Sequence, residues 1–241
     1  MQLLGSLVFA MFMPLWVIFL AVFFYPVYLF GTSRNVGFVA YVWAAGVLFA
    51  VRVLCGIKHE VKGLERLPEG PYIIASKHQS AWDTAIFHVL LNRPVFILKK
   101  ELTKLPFFGP YLGKMGMVAI DRSGQLAALK DMVVQVEGRL KQGRPVVIFP
   151  EGTRTKPGAK VKYHPGIAAL YTHESIDAPI VPVALNSGVF WGRSSFMKKQ
   201  GVVQIEFLPP LEKGLPRKVF METLERQIEE ASTRLLETRT A

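Results

Sequence analysis

The sequence predicts an α/β fold, a central mostly parallel or mixed sheet flanked by helices, preceded by an apolar two-helix membrane hairpin. Three observations carry this reading. No charged residue occurs from Met1 to Ser33, and all 18 acidic residues lie after Gly56, beginning with Glu60. Beyond Gly56, short apolar runs alternate with amphipathic helical ones, the pattern of an α/β domain. The boundary divides a membrane-associated hairpin, 1–56, from a catalytic unit, 57–241.

Leu3 to Phe30 is almost continuously apolar. At about 1.5 Å of rise per helical residue it can cross a hydrocarbon core of roughly 30 Å. Arg34 and Asn35 interrupt the run, and Val36–Val51 resumes it. The second stretch is short for a straight span unless it borrows Val53–Ile57 across Arg52. Pro14 and Pro26 are expected to bend the first helix. A cleaved signal peptide is disfavoured, because the basic first segment is missing and the apolar run is too long. A bilayer-spanning hairpin and one buried in a single leaflet both fit.

In the remainder, strands are expected at Tyr72–Ser76, Val95–Leu98, Met117–Ile120, Val146–Phe149, Ile180–Leu185 and Val202–Phe207. Helices are expected at Trp82–Leu91, Gln125–Gln142 and Arg217–Thr238. Leu126, Leu129, Val133, Val136 and Leu140 form one apolar stripe, and Phe220, Leu224, Ile228, Ala231 and Leu235 form another. Both are read as faces packed on the sheet.

A net charge of +11 accompanies 51% hydrophobic residues. That pairing fits an anionic membrane surface and phosphate-bearing substrates, and argues against nucleic acid. The single cysteine, Cys55, excludes an internal disulfide and any multi-cysteine metal site.

Chemistry concentrates in three places. In Ser76–Asp83, His78 follows a strand and Asp83 opens a helix. If the chain folds back between them, the carboxylate accepts a hydrogen bond from one ring N–H and leaves the other nitrogen as a base. The spacing alone is weak, since Asp83 also suits a helix N-terminus and His78 a polar loop. In Phe149–Arg154 a strand ends at Pro150 and is followed by Glu151, Gly152, Thr153 and Arg154. Gly152 permits close backbone approach to a ligand and Arg154 offers a planar fork for phosphate. A polar surface turn explains the same residues equally well. Lys99 and Lys100 follow one strand and Arg122 another, so adjacent strands would bring them to one rim with Arg154. A solvated basic rim is the plainer alternative, for Lys100 in particular.

Taken together, these segments resemble the four motifs of the glycerolipid acyltransferase family. His78 and Asp83 match its H-x4-D motif; Lys99–Gly109 with Arg122 resembles the second; Phe149–Arg154 matches the third and Val181–Ala184 the fourth. Lys162–Gly166 is a looser version of the family's lysine–glycine element, and Lys77 stands where asparagine is often found.

The resemblance implies direct acyl transfer from a thioester, acyl-CoA or acyl carrier protein, with no metal and no cofactor beyond the donor. The acceptor would be the sn-2 hydroxyl of 1-acylglycerol-3-phosphate and the product phosphatidic acid. His78 would be the base and Asp83 its orienting carboxylate. Glu151, Gly152, Thr153, Arg154, Arg122 and Lys100 would bind substrate. The bilayer would be the other partner, and a bacterial inner membrane with the catalytic side cytoplasmic the expected location. Another lysolipid, such as a lyso-ornithine lipid, is the alternative acceptor. A serine hydrolase is disfavoured because no G-x-S-x-G elbow occurs. A non-enzymatic lipid-binding protein would explain charge and hydrophobicity, but has no need of His78, Asp83 and Glu151 together.

Overall fold

The computed structural model describes residues 2–106, 108–121 and 125–237. The chain opens with helices α1 (Gln2–Phe23), α2 (Tyr25–Phe30) and α3 (Ser33–Cys55). Helix α1 runs on through Pro14, and the break falls at Phe24, so Pro26 lies in the first turn of α2. That position suits proline, whose missing N–H is one that a helix start leaves unpaired anyway. Thr32 caps α3 in a reciprocal arrangement with Asn35. Gly56 ends the helix in the left-handed region at φ 68°, a geometry that a side chain resists.

Helices α1 and α3 approach closely. A Cβ on Gly5 would fall 1.9 Å from the Leu54 carbonyl oxygen, and one on Gly46 would meet the Trp16 ring at 2.6 Å. The Trp16 indole donates to the Trp43 carbonyl at 3.2 Å. The outward face stays apolar: Leu3, Leu15, Val22 and Phe23 of α1 and Phe49 and Val53 of α3 are exposed. An exposed apolar surface on this scale marks membrane association.

Strands β1 (Ile57–Lys62), β2 (Ile73–Ser76), β3 (Val95–Lys99), β4 (Val118–Ile120), β5 (Val146–Ile148), β6 (Ile180–Leu185) and β7 (Gly201–Phe207) form one sheet in the order β1-β7-β6-β2-β5-β3-β4. Every pairing is parallel except β6 with β7. The sheet is therefore mixed, as expected. The interior strands β2, β5 and β6 are buried at every position, which is why they read as continuous apolar runs.

The helices linking and following the strands are α4 (Trp82–Leu90), α5 (Gly109–Lys114), α6 (Gln125–Leu140), α7 (Gly166–Thr172) and α8 (Arg217–Glu237). The apolar stripe of α8 is buried from Phe220 to Leu235. That of α6 begins packing later along the helix than expected. Leu126 is 74% exposed, and Met132 joins Val133, Val136 and Leu140 inside.

The amino-terminal helices share the sheet's core. Phe9, Val36, Val47 and Val51 belong to the same buried cluster as Ile73, Val147 and Val181. Phe9 packs edge-on against Trp191 at 5.1 Å, and Ser6 Oγ accepts from the Lys198 N–H at 2.9 Å. The apolar loop after β3 docks on these helices too. The Tyr111 hydroxyl donates to the Ala21 carbonyl at 3.3 Å, and the Lys114 ammonium reaches the Tyr28 and Leu29 carbonyls that end α2. Phe107 lies outside the described residues.

Candidate active site

Parallel pairing of β3, β5 and β2 sends their carboxyl ends to one edge, the usual ligand edge of such sheets. The H-x4-D segment leaves β2 there, the F-P-E-G-T-R segment leaves β5, and Lys99 ends β3.

The chain does fold back between His78 and Asp83. His78 Nδ1 lies 2.9 Å from Asp83 Oδ2. The same oxygen accepts the main-chain N–H groups of Gln79 at 2.7 Å and Ser80 at 2.8 Å, while Oδ1 accepts the Ser187 hydroxyl. Asp83 is fully buried. An acceptor so surrounded by donors holds the proton on Nδ1 and leaves Nε2 as the basic nitrogen. The imidazole stacks on Phe149, with ring centroids 3.8 Å apart, and is 16% exposed where it meets a cavity.

Glu151 lies behind this pair. Its Oε2 accepts the His78 main-chain N–H at 2.8 Å, and its Oε1 accepts the Thr155 hydroxyl at 2.8 Å. Lys77 is 1% exposed and sets its ammonium 2.8 Å from Glu151 and 2.7 Å from Glu229 of α8. The Tyr163 hydroxyl donates to Glu229 at 3.0 Å. Burial, then the neighbouring carboxylates, push the Tyr163 phenol far above its ordinary value, which keeps it a neutral donor. Glu151 is thus enclosed by protein donors and faces away from the cavity. Burial and a cation from the preceding motif make it a positioning group for the His78 loop.

The cavity itself is about 580 Å³. One end is polar, walled by His78, Thr153, Arg154, Arg193 and Lys99. The other is apolar and runs between the amino-terminal helices and α5, with Leu20, Val36, Trp43, Tyr111 and Met115 in its walls. Gly152 adopts φ 67° and donates its N–H to the Phe149 carbonyl at 2.9 Å, making the tight turn that points Thr153 and Arg154 at the cavity. Arg193, from the loop after β6, braces that turn by donating to Thr153 Oγ1 at 3.1 Å and to the Arg154 carbonyl at 3.2 Å.

Of the residues expected at the site, His78, Gly152, Thr153 and Arg154 line the cavity. Lys100 does not. Its side chain is 57% exposed and lies 3.9 Å from Asp121, while the preceding residue, Lys99, faces the cavity. Arg122 lies outside the described residues. Val181–Ala184 sit in interior strand β6 and take no part in the cavity wall. Arg193 was not anticipated, because no spacing rule ties an arginine after β6 to a turn after β5. His88 of α4 also lines the cavity, and burial lowers its pKa from 6.5 to about 4, so it is a neutral wall residue.

Residues 58–186 match the acyltransferase family. A 1-acyl-sn-glycerol-3-phosphate acyltransferase of Pseudomonas aeruginosa is 38% identical over 174 residues, 72% of this chain and 67% of that protein. The human 1-acyl-sn-glycerol-3-phosphate acyltransferase alpha is 32% identical over 199 residues, covering 81% and 69%. Among solved structures, the 1-acyl-sn-glycerophosphate (LPA) acyltransferase PlsC from Thermotoga maritima superimposes with a TM-score of 0.78 over 97% of this chain and 95% of that one, at 18% identity. With the His–Asp pair at the mouth of a cavity that is cationic at one end and apolar at the other, the chain belongs to the acyltransferase family.

Proposed function

We propose that the protein transfers a fatty acyl group from a thioester to the sn-2 hydroxyl of 1-acylglycerol-3-phosphate, giving phosphatidic acid. The observation that carries this reading is the position of His78, between the cations Arg154, Arg193 and Lys99 and the apolar cavity walled by the amino-terminal helices. The cations hold the acceptor phosphate, Arg154 through its planar fork. The apolar end takes an acyl chain.

His78 Nε2 removes the proton of the acceptor hydroxyl as its oxygen attacks the thioester carbonyl carbon. Asp83 holds the ring and stabilises the imidazolium. The tetrahedral oxyanion then collapses, the carbon–sulfur bond breaks, and the thiolate leaves with the proton from the imidazolium. Gly152 spends its N–H on the turn, which leaves the Thr153 hydroxyl as a donor to the oxyanion. Thr153 accepts from Arg193, which turns its own hydroxyl proton toward the cavity.

The donor is acyl-CoA or acyl carrier protein, and the helices 2–55 hold the enzyme on its membrane. A bacterial inner membrane with the active site on the cytoplasmic face is the location proposed, supported by Arg52 and the basic catalytic part that follows α3. The test is transfer of a radiolabelled acyl group by purified protein in detergent, wild type beside His78→Ala. The acceptors are lysophosphatidic acid, a lyso-ornithine lipid and lysophosphatidylcholine. Preference for lysophosphatidic acid supports the reading; preference for another acceptor reassigns the substrate, and transfer by His78→Ala at the wild-type rate removes the mechanism.

A further inference from the structure

A second, smaller cavity of about 230 Å³ lies where the first turns of α3 meet the segment after α4 and the residues before β5. Arg34, Arg93 and Arg144 line it, together with Phe38 and Tyr41. Arg144 is 4% exposed. It donates to the Arg93 carbonyl at 3.1 Å and the Met115 carbonyl at 2.9 Å, both neutral acceptors. Arg93 stands at φ 54°, and its buried Nε finds no acceptor among the described residues.

None of these arginines forms an ion pair with a carboxylate among the described residues. Burial, then the cations Arg93 and Arg139, lower the Arg144 pKa to about 10. Arg144 is buried without a counter-charge beside half-buried Arg93 and exposed Arg34, and a buried cation in that company is costly unless an anion completes the group. The rim shows where that anion comes from. Phe38 is 58% exposed and Tyr41 45% exposed, both on an apolar helix, so the opening is flanked by surface suited to lipid.

We propose that this cavity binds the phosphate of an anionic bilayer phospholipid. Arg34 and Arg93 contact the phosphate, Arg144 supplies the buried charge behind them, and Phe38 and Tyr41 lie against the glycerol and first methylenes. The assignment rests on membrane association through α1 and α3, and is separate from the catalytic cavity. His88 and Met115 line both cavities and form the partition between them.

The test uses the full chain in neutral detergent and reads its thermal midpoint with short-chain phosphatidylglycerol, short-chain phosphatidylcholine or inorganic phosphate. Arg34→Gln with Arg93→Gln removes the contacts while keeping side-chain bulk, and Arg217→Gln with Lys218→Gln on exposed α8 controls for net charge. Saturating phosphatidylglycerol is expected to raise the midpoint by about 5 °C or more in wild type and in the control, and to lose most of that shift in the site variant. An equal shift in the site variant places the anion elsewhere and overturns the assignment. An equal shift with inorganic phosphate overturns the lipid part. Acyl transfer to lysophosphatidic acid in the same detergent is expected to be unchanged in the site variant, and its absence from wild type would count against the proposed reaction, not against this site.

Discussion

The main-chain N–H of His78 donates to the carboxylate of Glu151 at 2.8 Å, so two segments 73 residues apart are joined directly behind the base. Lys77 neutralises that carboxylate from inside the protein. Glu151→Gln puts an amide N–H₂ where only donors converge, and Lys77→Met leaves two carboxylates without their cation. Each is expected to lower stability by about 3–5 kcal/mol, the usual cost of breaking a buried pair. Because Glu151 faces away from the cavity, kcat should fall with the acceptor KM little changed. Denaturant unfolding and steady-state kinetics check both, and a Glu151→Gln protein of wild-type stability contradicts the network.

His78→Ala is expected to stay folded and membrane-bound while losing at least roughly 10²–10⁴-fold in turnover, the typical contribution of a positioned base. Asp83→Asn should retain more turnover than His78→Ala. It should also melt earlier, because buried Asp83 accepts from Gln79 and Ser80 as well as from His78. Turnover measured beside a thermal melt separates the two effects.

Arg154→Ala and Arg193→Ala should raise the KM for the lysolipid acceptor and leave the donor KM nearly unchanged. Lysine at Arg154 should rescue only in part, since a point charge lacks the two-pronged contact. Arg193→Ala removes the two hydrogen bonds that brace the Thr153–Arg154 turn, so its effect should be smaller than that of Arg154→Ala. An equal rise in both substrates' KM values would instead make these arginines supports of the fold.

His88 gives a pH dependence with a definite sign. Its folded pKa is depressed to about 4 from an ordinary 6.5, so the unfolded chain binds the proton first as pH falls. Its contribution is intact above about pH 6.5 and is lost on the way down to about pH 4, by roughly 3 kcal/mol in all. His88→Phe keeps a ring against Trp43 and Phe96 and should flatten stability across that window. Unfolding measured at several pH values checks it; an equal slope in the variant means another group titrates.

Ala40 lines the apolar end of the catalytic cavity. Ala40→Phe should lower turnover with long acyl chains several-fold and leave short chains nearly untouched. Competition between long-chain and short-chain donors and acceptors reads the change as a ratio. An unaltered ratio would remove the acyl chain from this end.

Much of this was readable beforehand for a physical reason. Strands β2, β5 and β6 are apolar runs buried in the sheet, and their local composition announces them. Strand β1 is not such a run. In Ile57–Lys62 only Ile57 is fully buried, and β7 supplies its pairing from far along the chain. The α6 stripe was misjudged at Leu126 because periodicity finds an apolar face but not where along the helix its packing begins.

Residue order by itself determined the chemistry on offer: a histidine and an aspartate at H-x4-D spacing, a strand-end arginine, and two long apolar helices without a place in water. Tertiary structure alone decided which groups meet. Lys99 faces the cavity and Lys100 the solvent, because the strand end sends neighbouring side chains in different directions. Lys77 reaches Glu229 across 152 residues. The amino-terminal helices, legible as a membrane anchor, also wall the catalytic cavity. Such pairings depend on how the sheet orders its strands and on which helix covers them, and long-range contacts of that kind leave no period in the local sequence.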